Sequence, residues 1–129
     1  MNVVDSSGWL EYLANGPNAE FFASPIHDTD HLLVPTICLY EVFKHISLKR
    51  GEDEALEAVG VLYSGQIVDI TSEIALYAAQ LSIRHRLPMA DSLILAVARL
   101  YRAKLWTQDE HFQGLENVMY IPKRNPLSS

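Results

Sequence analysis

The chain has 129 residues, 49% hydrophobic and 20% charged, with a formal net charge of -6 and a single cysteine. That length suits one domain able to bury a sizeable core, and the composition excludes a disordered chain. The acidic balance argues against coating nucleic acid by bulk charge.

A first buried strand is expected at Asn2 to Val4, followed by a helix capped by Ser6 or Ser7 that carries Trp9, Leu10, Tyr12 and Leu13 as far as the Asn15-Gly16-Pro17 break. A short helix over Ala19 to Ala23 comes next, then a strand at His31 to Val34 cut by Pro35. Thr36 reads as the cap of a helix running to about Arg50 before Gly51. Glu52 to Tyr63 reads as a helix and Gln66 to Ile70 as a strand. Thr71 or Ser72 caps a helix to about Arg86, and Pro88 opens another ending near Ala103. A strand at Lys104 to Thr107, a helical turn around Phe112 to Leu115 and a last strand at Val118 to Ile121 complete the order. Residues from about 123 to 129 read as a frayed tail of this single domain. Strands alternating with helices imply a parallel sheet covered on both faces.

No apolar stretch is long enough to span a bilayer, and Met1-Asn2-Val3-Val4-Asp5 lacks the basic start of a secretory signal, so a cytoplasmic location is expected. The lone Cys38 excludes a multi-thiolate site and reads as a small buried hydrophobe. The five histidines show no zinc-site spacing.

Four acids lie where such a fold would gather them. Asp5 follows the first strand and Asp109 follows Leu105-Trp106-Thr107, so both leave the carboxyl edge of the sheet, where ligands bind in open α/β folds. Asp5 reads equally well as an N-cap. Glu41 lies nearly opposite the stripe Leu39, Val42, Phe43 and Ile46, where a solvated glutamate paired with a lysine is the ordinary reading. Asp91 shares the inward face of Ile94, Leu95 and Ala98, and its plainer role is as an acid favoured by a helix N-terminus. Asp109 reads also as a turn residue. Gathered together, these carboxylates repel unless protonated or bridged by a cation, and an all-oxygen set suits Mg²⁺ or Mn²⁺.

The segments Val3-Val4-Asp5-Ser6-Ser7, Tyr40-Glu41-Val42, Leu87-Pro88-Met89-Ala90-Asp91-Ser92 and Leu105-Trp106-Thr107-Gln108-Asp109-Glu110-His111-Phe112 together resemble PIN-domain ribonucleases, and more closely VapC-type toxins. The resemblance runs along essentially the whole chain. It implies a three-layer α/β/α fold and Mg²⁺- or Mn²⁺-dependent endonucleolytic cleavage of RNA, by in-line attack of a metal-activated water that leaves a 5′-phosphate and a 3′-hydroxyl. On this reading Asp5, Asp91 and Asp109 hold metal, and Glu41 orients the attacking water from the outer sphere. Ser6 and Thr107 support the pocket or act only as capping and turn hydroxyls. Many relatives carry a further aspartate just before the phenylalanine that follows the fourth acid. Here that place holds His111, which leaves one or two ions open.

The resemblance also implies a homodimer held inactive by a VapB-like antitoxin, with Phe21, Phe22, Tyr40 and Phe43 as interface candidates against a plainer reading as core. Local cations for RNA phosphates are Lys44, His45, Lys49 and Arg50 on the Glu41 helix, with Lys44 expected beside Glu41. Two rivals are a receiver-like Mg²⁺-binding signalling domain and a PIN-like protein that binds RNA or a partner without catalysis. The receiver lacks support in the sequence, because Ser6 and Ser7 stand where paired acids belong.

Overall fold

The computed structural model describes residues 1–125. Five strands, β1 (Asn2–Val4), β2 (Leu32–Pro35), β3 (Gln66–Val68), β4 (Lys104–Thr107) and β5 (Val118–Tyr120), form one sheet in the order β3-β2-β1-β4-β5. Every adjacent pair is parallel. Six helices accompany them: α1 (Ser6–Leu13), α2 (Ala19–His27), α3 (Thr36–Arg50), α4 (Glu52–Leu62), α5 (Ser72–His85) and α6 (Met89–Leu100). All four residues of β2 are buried, which requires helices on both faces of the sheet and makes three layers. The receiver-type order 2-1-3-4-5 is not the order found here, and this removes that rival.

The core forms where the strands carry their β-branched and leucine residues. Val3, Val4, Leu32, Leu33, Val34 and Leu105 meet Trp9 and Phe22 from the first two helices and Ile94, Leu95 and Val97 from α6. Strands are added outward on one side of β1 up to β3 and then on its other side from β4, so the carboxyl ends of β1 and β4 flank the switch point. Gly8 lets α1 start close to the sheet. A Cβ there would lie 2.6 Å from Phe22 Cε1 and 2.8 Å from Val4 Cγ1.

Several boundaries differ from expectation for local reasons. The second helix continues through Pro25 to His27 instead of ending near Ala23, because burial of Pro25 and Ile26 offsets the lost amide hydrogen bond. Thr36 is the first residue of α3 and Pro35 holds the cap position without a side-chain bond. The third strand stops at Val68, where its pairing with Pro35 ends, so Asp69 and Ile70 lie outside it. A 3-10 turn at Glu110–Phe112 replaces the helical turn expected slightly later.

Near the start of the expected tail, Arg124 is tied back to the loop ahead of α2. Arg124 donates from Nε to Asn18 Oδ1 at 2.9 Å and from Nη2 to the Pro17 carbonyl at 2.6 Å. Residues 126–129 of that expectation lie outside the described residues.

Candidate metal centre

Asp5 directly follows β1 and continues its bonding to β4, its amide donating to the Trp106 carbonyl at 3.1 Å. Its side chain is the N-cap of α1, accepting from the Gly8 amide at 2.8 Å. Cap and pocket acid are therefore the same residue. The Ser7 hydroxyl reaches both carboxylate oxygens at 2.9 Å, and the Thr107 hydroxyl donates to Oδ2 at 2.7 Å. Thr107 in turn accepts the Asp109 amide at 2.9 Å, so one hydroxyl links the ends of β1 and β4.

Glu41 comes from α3, where Cys38 and Val42 form the buried stripe. The Ser6 hydroxyl donates to its Oε1 at 2.6 Å, a partner 35 positions away that helical periodicity cannot show. Asp91 sits in the first turn of α6, and Asp109 caps the turn before Phe112 by accepting the His111 amide at 2.9 Å. His111 Nδ1 stands 3.0 Å from Asp91 Oδ2 and 3.0 Å from Asp109 Oδ1. Both carboxylates favour a proton on this nitrogen, which is why the His111 imidazole holds its proton more tightly than a free one.

These elements enclose a cavity of about 230 Å³ lined by Asp5, Ser6, Ser7, Leu10, Glu41, His45, Asp91 and Asp109. All four predicted acids and Ser6 thus face one space, and Thr107 lies beneath it, fully buried. Ligand atoms of Asp91, Asp109 and His111 lie within 4.8 Å of one another, a donor set that fits a divalent ion. His45 and Ser7 also line the cavity, and Ser7 bonds Asp5; the sequence suggested His45 only as a local cation for phosphate and Ser7 only as a helix cap. His45 follows Glu41 by one helical turn, and that spacing was the available signal. His111 was visible only as a departure from the family pattern.

The electrostatics are those of a crowded anionic site. Burial raises the Asp5 carboxyl to about 7, against the lowering effect of Thr107, Gly8 and Ser7 and with a further push from Asp109. Asp91 is raised to about 6 by burial and then by the charge of Asp109, with His111 opposing. His111 is raised, chiefly by Asp109. Burial holds the Cys38 thiol far above its ordinary range, so it is an inert core group.

The cations divide. Lys44 lies over the Tyr40 ring, 5.6 Å from its centroid, rather than beside Glu41 in the cavity wall. Lys49 and Arg50 line a larger groove of about 860 Å³ that shares Leu10 and His45 with the acidic cavity. Phe22 belongs wholly to the core and Phe21 packs at 5.1 Å on Trp106, whereas Tyr40 is exposed.

Residues 3–117 match the PIN-domain family. This chain belongs to the PIN-domain family. No curated protein matches it. Among solved structures, a toxin-antitoxin complex from Klebsiella pneumoniae superposes with a TM-score of 0.77 at 22% identity, over 92% of this chain and 96% of that one. VapC20 of Mycobacterium tuberculosis, described as a sarcin-ricin loop cleaving toxin, gives 0.76 at 15% identity over 90% and 95%. DNA-bound VapBC from Salmonella typhimurium gives 0.72 at 13% identity over 95% and 98%. At these identities the likeness is one of fold, and the PIN fold carries the acids to one edge.

Proposed function

We propose that this PIN-domain protein is a metal-dependent endoribonuclease, the toxin of a VapBC-type toxin-antitoxin pair, acting as a homodimer. The observation that carries the reading is the convergence of Asp5, Glu41, Asp91 and Asp109 on one cavity at the switch point of the sheet. Asp5, Asp91 and Asp109 would hold Mg²⁺ or Mn²⁺, with His111 at the edge of the set. Such an ion supplies Lewis acidity toward a phosphoryl oxygen and lowers the pKa of bound water.

The protein's own part is positional. Asp5 is locked by Ser7, Gly8 and Thr107, so its charge needs no reorganisation when phosphate arrives. Ser6 fixes Glu41 through Oε1, leaving Oε2 to accept a proton from the attacking water. Lys49 and Arg50 supply phosphate contacts for RNA strand leading to the cavity. The groove they line is also the seat of a VapB-like antitoxin segment, whose basic side chain would reach the carboxylates past Leu10 and His45. The Klebsiella and Salmonella relatives, which are toxin-antitoxin and VapBC assemblies, support that partner.

The test is cleavage of defined RNAs with Mg²⁺, Mn²⁺ or EDTA, with end mapping of products. Asp91→Asn should lower the metal-dependent rate by roughly 100-fold or more. Cleavage that persists in EDTA, or survives in Asp91→Asn, overturns the assignment.

A further inference from the structure

We infer that the segment after β5 is a strap that sets the metal centre, acting through Asn18 and Gln108 on the turn that carries Asp109. The inference rests on the metal-binding reading proposed above. Asn18 is 1% exposed and ties together distant parts of the chain. Its Nδ2 donates to Gln108 Oε1 and to the Pro122 carbonyl, both at 3.0 Å, and its Oδ1 accepts from Arg124 Nε at 2.9 Å. Its backbone amide donates to Glu11 Oε2 at 2.8 Å. Both hydrogens and the oxygen of this buried side-chain amide are thus engaged, and losing a partner costs the desolvation of a buried polar atom. The local alternative is passed up. Asn18 holds the N-cap position of α2, where asparagine ordinarily accepts from an amide of its own first turn, yet it makes no side-chain cap bond.

Gln108 carries this hold to the site. It stands between Thr107, which donates to Asp5 Oδ2, and Asp109, which lines the cavity. Thr107 ends β4 and Asp109 is still extended at φ -86° and ψ 121°, so the side chains at 107 and 109 share one side and Gln108 takes the other. Gln108 is buried there against Asn18. The turn is therefore gripped from two sides, by Thr107 toward the cavity and by Asn18 behind it. The strap runs beside β4. The Ile121 amide donates to the Thr107 carbonyl at 3.0 Å, Pro122 meets Asn18, and Arg124 Nη2 reaches the Pro17 carbonyl at 2.6 Å. Pro122 and Arg124 are exposed, so the strap can be drawn off without opening the core. Its release strips the Asn18 side chain of every partner but Gln108, and Asp109 then loses its fixed place among the acids. Asn18 is a positioning residue that acts through Asp109.

Mn²⁺ binding to the full chain, read from the free-ion electron paramagnetic resonance signal without RNA, tests this. Asn18→Ala should weaken binding at least roughly fivefold with far-UV circular dichroism unchanged. Arg124→Ala should weaken it in the same direction, and its exposed position keeps the test decisive where Asn18→Ala fails to fold. Ile74→Ala, a core truncation on α5 away from the cavity, is the control for stability alone. It should lower the melting temperature and leave Mn²⁺ affinity unchanged. In an Asp109→Asn background Asn18→Ala should add nothing, because the group it acts through is already altered. A wild type that binds no Mn²⁺ sinks the metal-centre reading and the strap with it. Mn²⁺ held as tightly by Asn18→Ala and Arg124→Ala as by the wild type sinks the strap alone. A loss from Asn18→Ala that is the same in both backgrounds overturns the route through Asp109.

Discussion

At the scale of single residues, Asp5 is where folding and chemistry compete. Its carboxyl titrates near 3.8 in an unfolded chain and near 7 when folded, because the buried charge is poorly compensated without a cation. The folded protein therefore holds the proton more tightly than the unfolded chain. The contribution of Asp5 to metal-free stability is fully present below about pH 4 and is lost as pH rises from about 4 to about 7, levelling above that. Asp5→Asn removes the buried charge and should flatten this profile, raising metal-free stability at pH 8 by a few kcal/mol, with about 4 kcal/mol as the ceiling set by the shift. Denaturant melts of both proteins at pH 5 and pH 8 in EDTA give the comparison. A wild type no less stable at pH 8 than at pH 5 would contradict the burial argument. Thr107 acts at one remove, holding Asp5 Oδ2 and the Asp109 amide together. Thr107→Val should leave the protein folded but weaken metal affinity by roughly 10- to 100-fold, measured by metal-induced protection against denaturant.

At the scale of elements, packing places the site as much as the acids do. Gly8 sits where α1 leaves β1, and an added methyl would strike the Phe22 ring and Val4. Gly8→Ala should cost about 1 to 3 kcal/mol of stability and displace Ser6 and Ser7 from Glu41 and Asp5, lowering cleavage more than its effect on melting alone explains. Elements were legible in the sequence where burial alone decides them. Strands Asn2–Val4 and Lys104–Thr107 stand as read, because short apolar runs bounded by polar residues suffice for the centre of a parallel sheet. The acids at their ends were readable for the same reason, since topology fixes where a strand finishes. Glu41 and His111 depend on contacts through space, to Ser6 and to Asp91, and no periodicity encodes those. The run of α2 through Pro25 escaped the reading because tertiary burial outweighed a local helix-breaking rule.

At the scale of the molecule, the proposed function asks a chain of net charge -6 to draw in a polyanion, so attraction has to be local. The acidic cavity and the groove bearing Lys49 and Arg50 adjoin through Leu10 and His45, which places positive charge beside the clustered acids instead of across the whole surface. Binding of single-stranded RNA by the Asp91→Asn protein at constant Mg²⁺ should weaken with added monovalent salt, by a logarithmic slope of roughly 0.7 per phosphate neutralised. Replacing Lys49 and Arg50 together by alanine removes two such contacts and should flatten the slope by about 1.4, while Lys44→Ala, whose ammonium rests on Tyr40, should change it little. Fluorescence anisotropy across a salt titration reads both. If the slope of the Lys49 and Arg50 variant matches that of its parent, RNA does not run through this groove, and the groove's role passes to the partner segment alone.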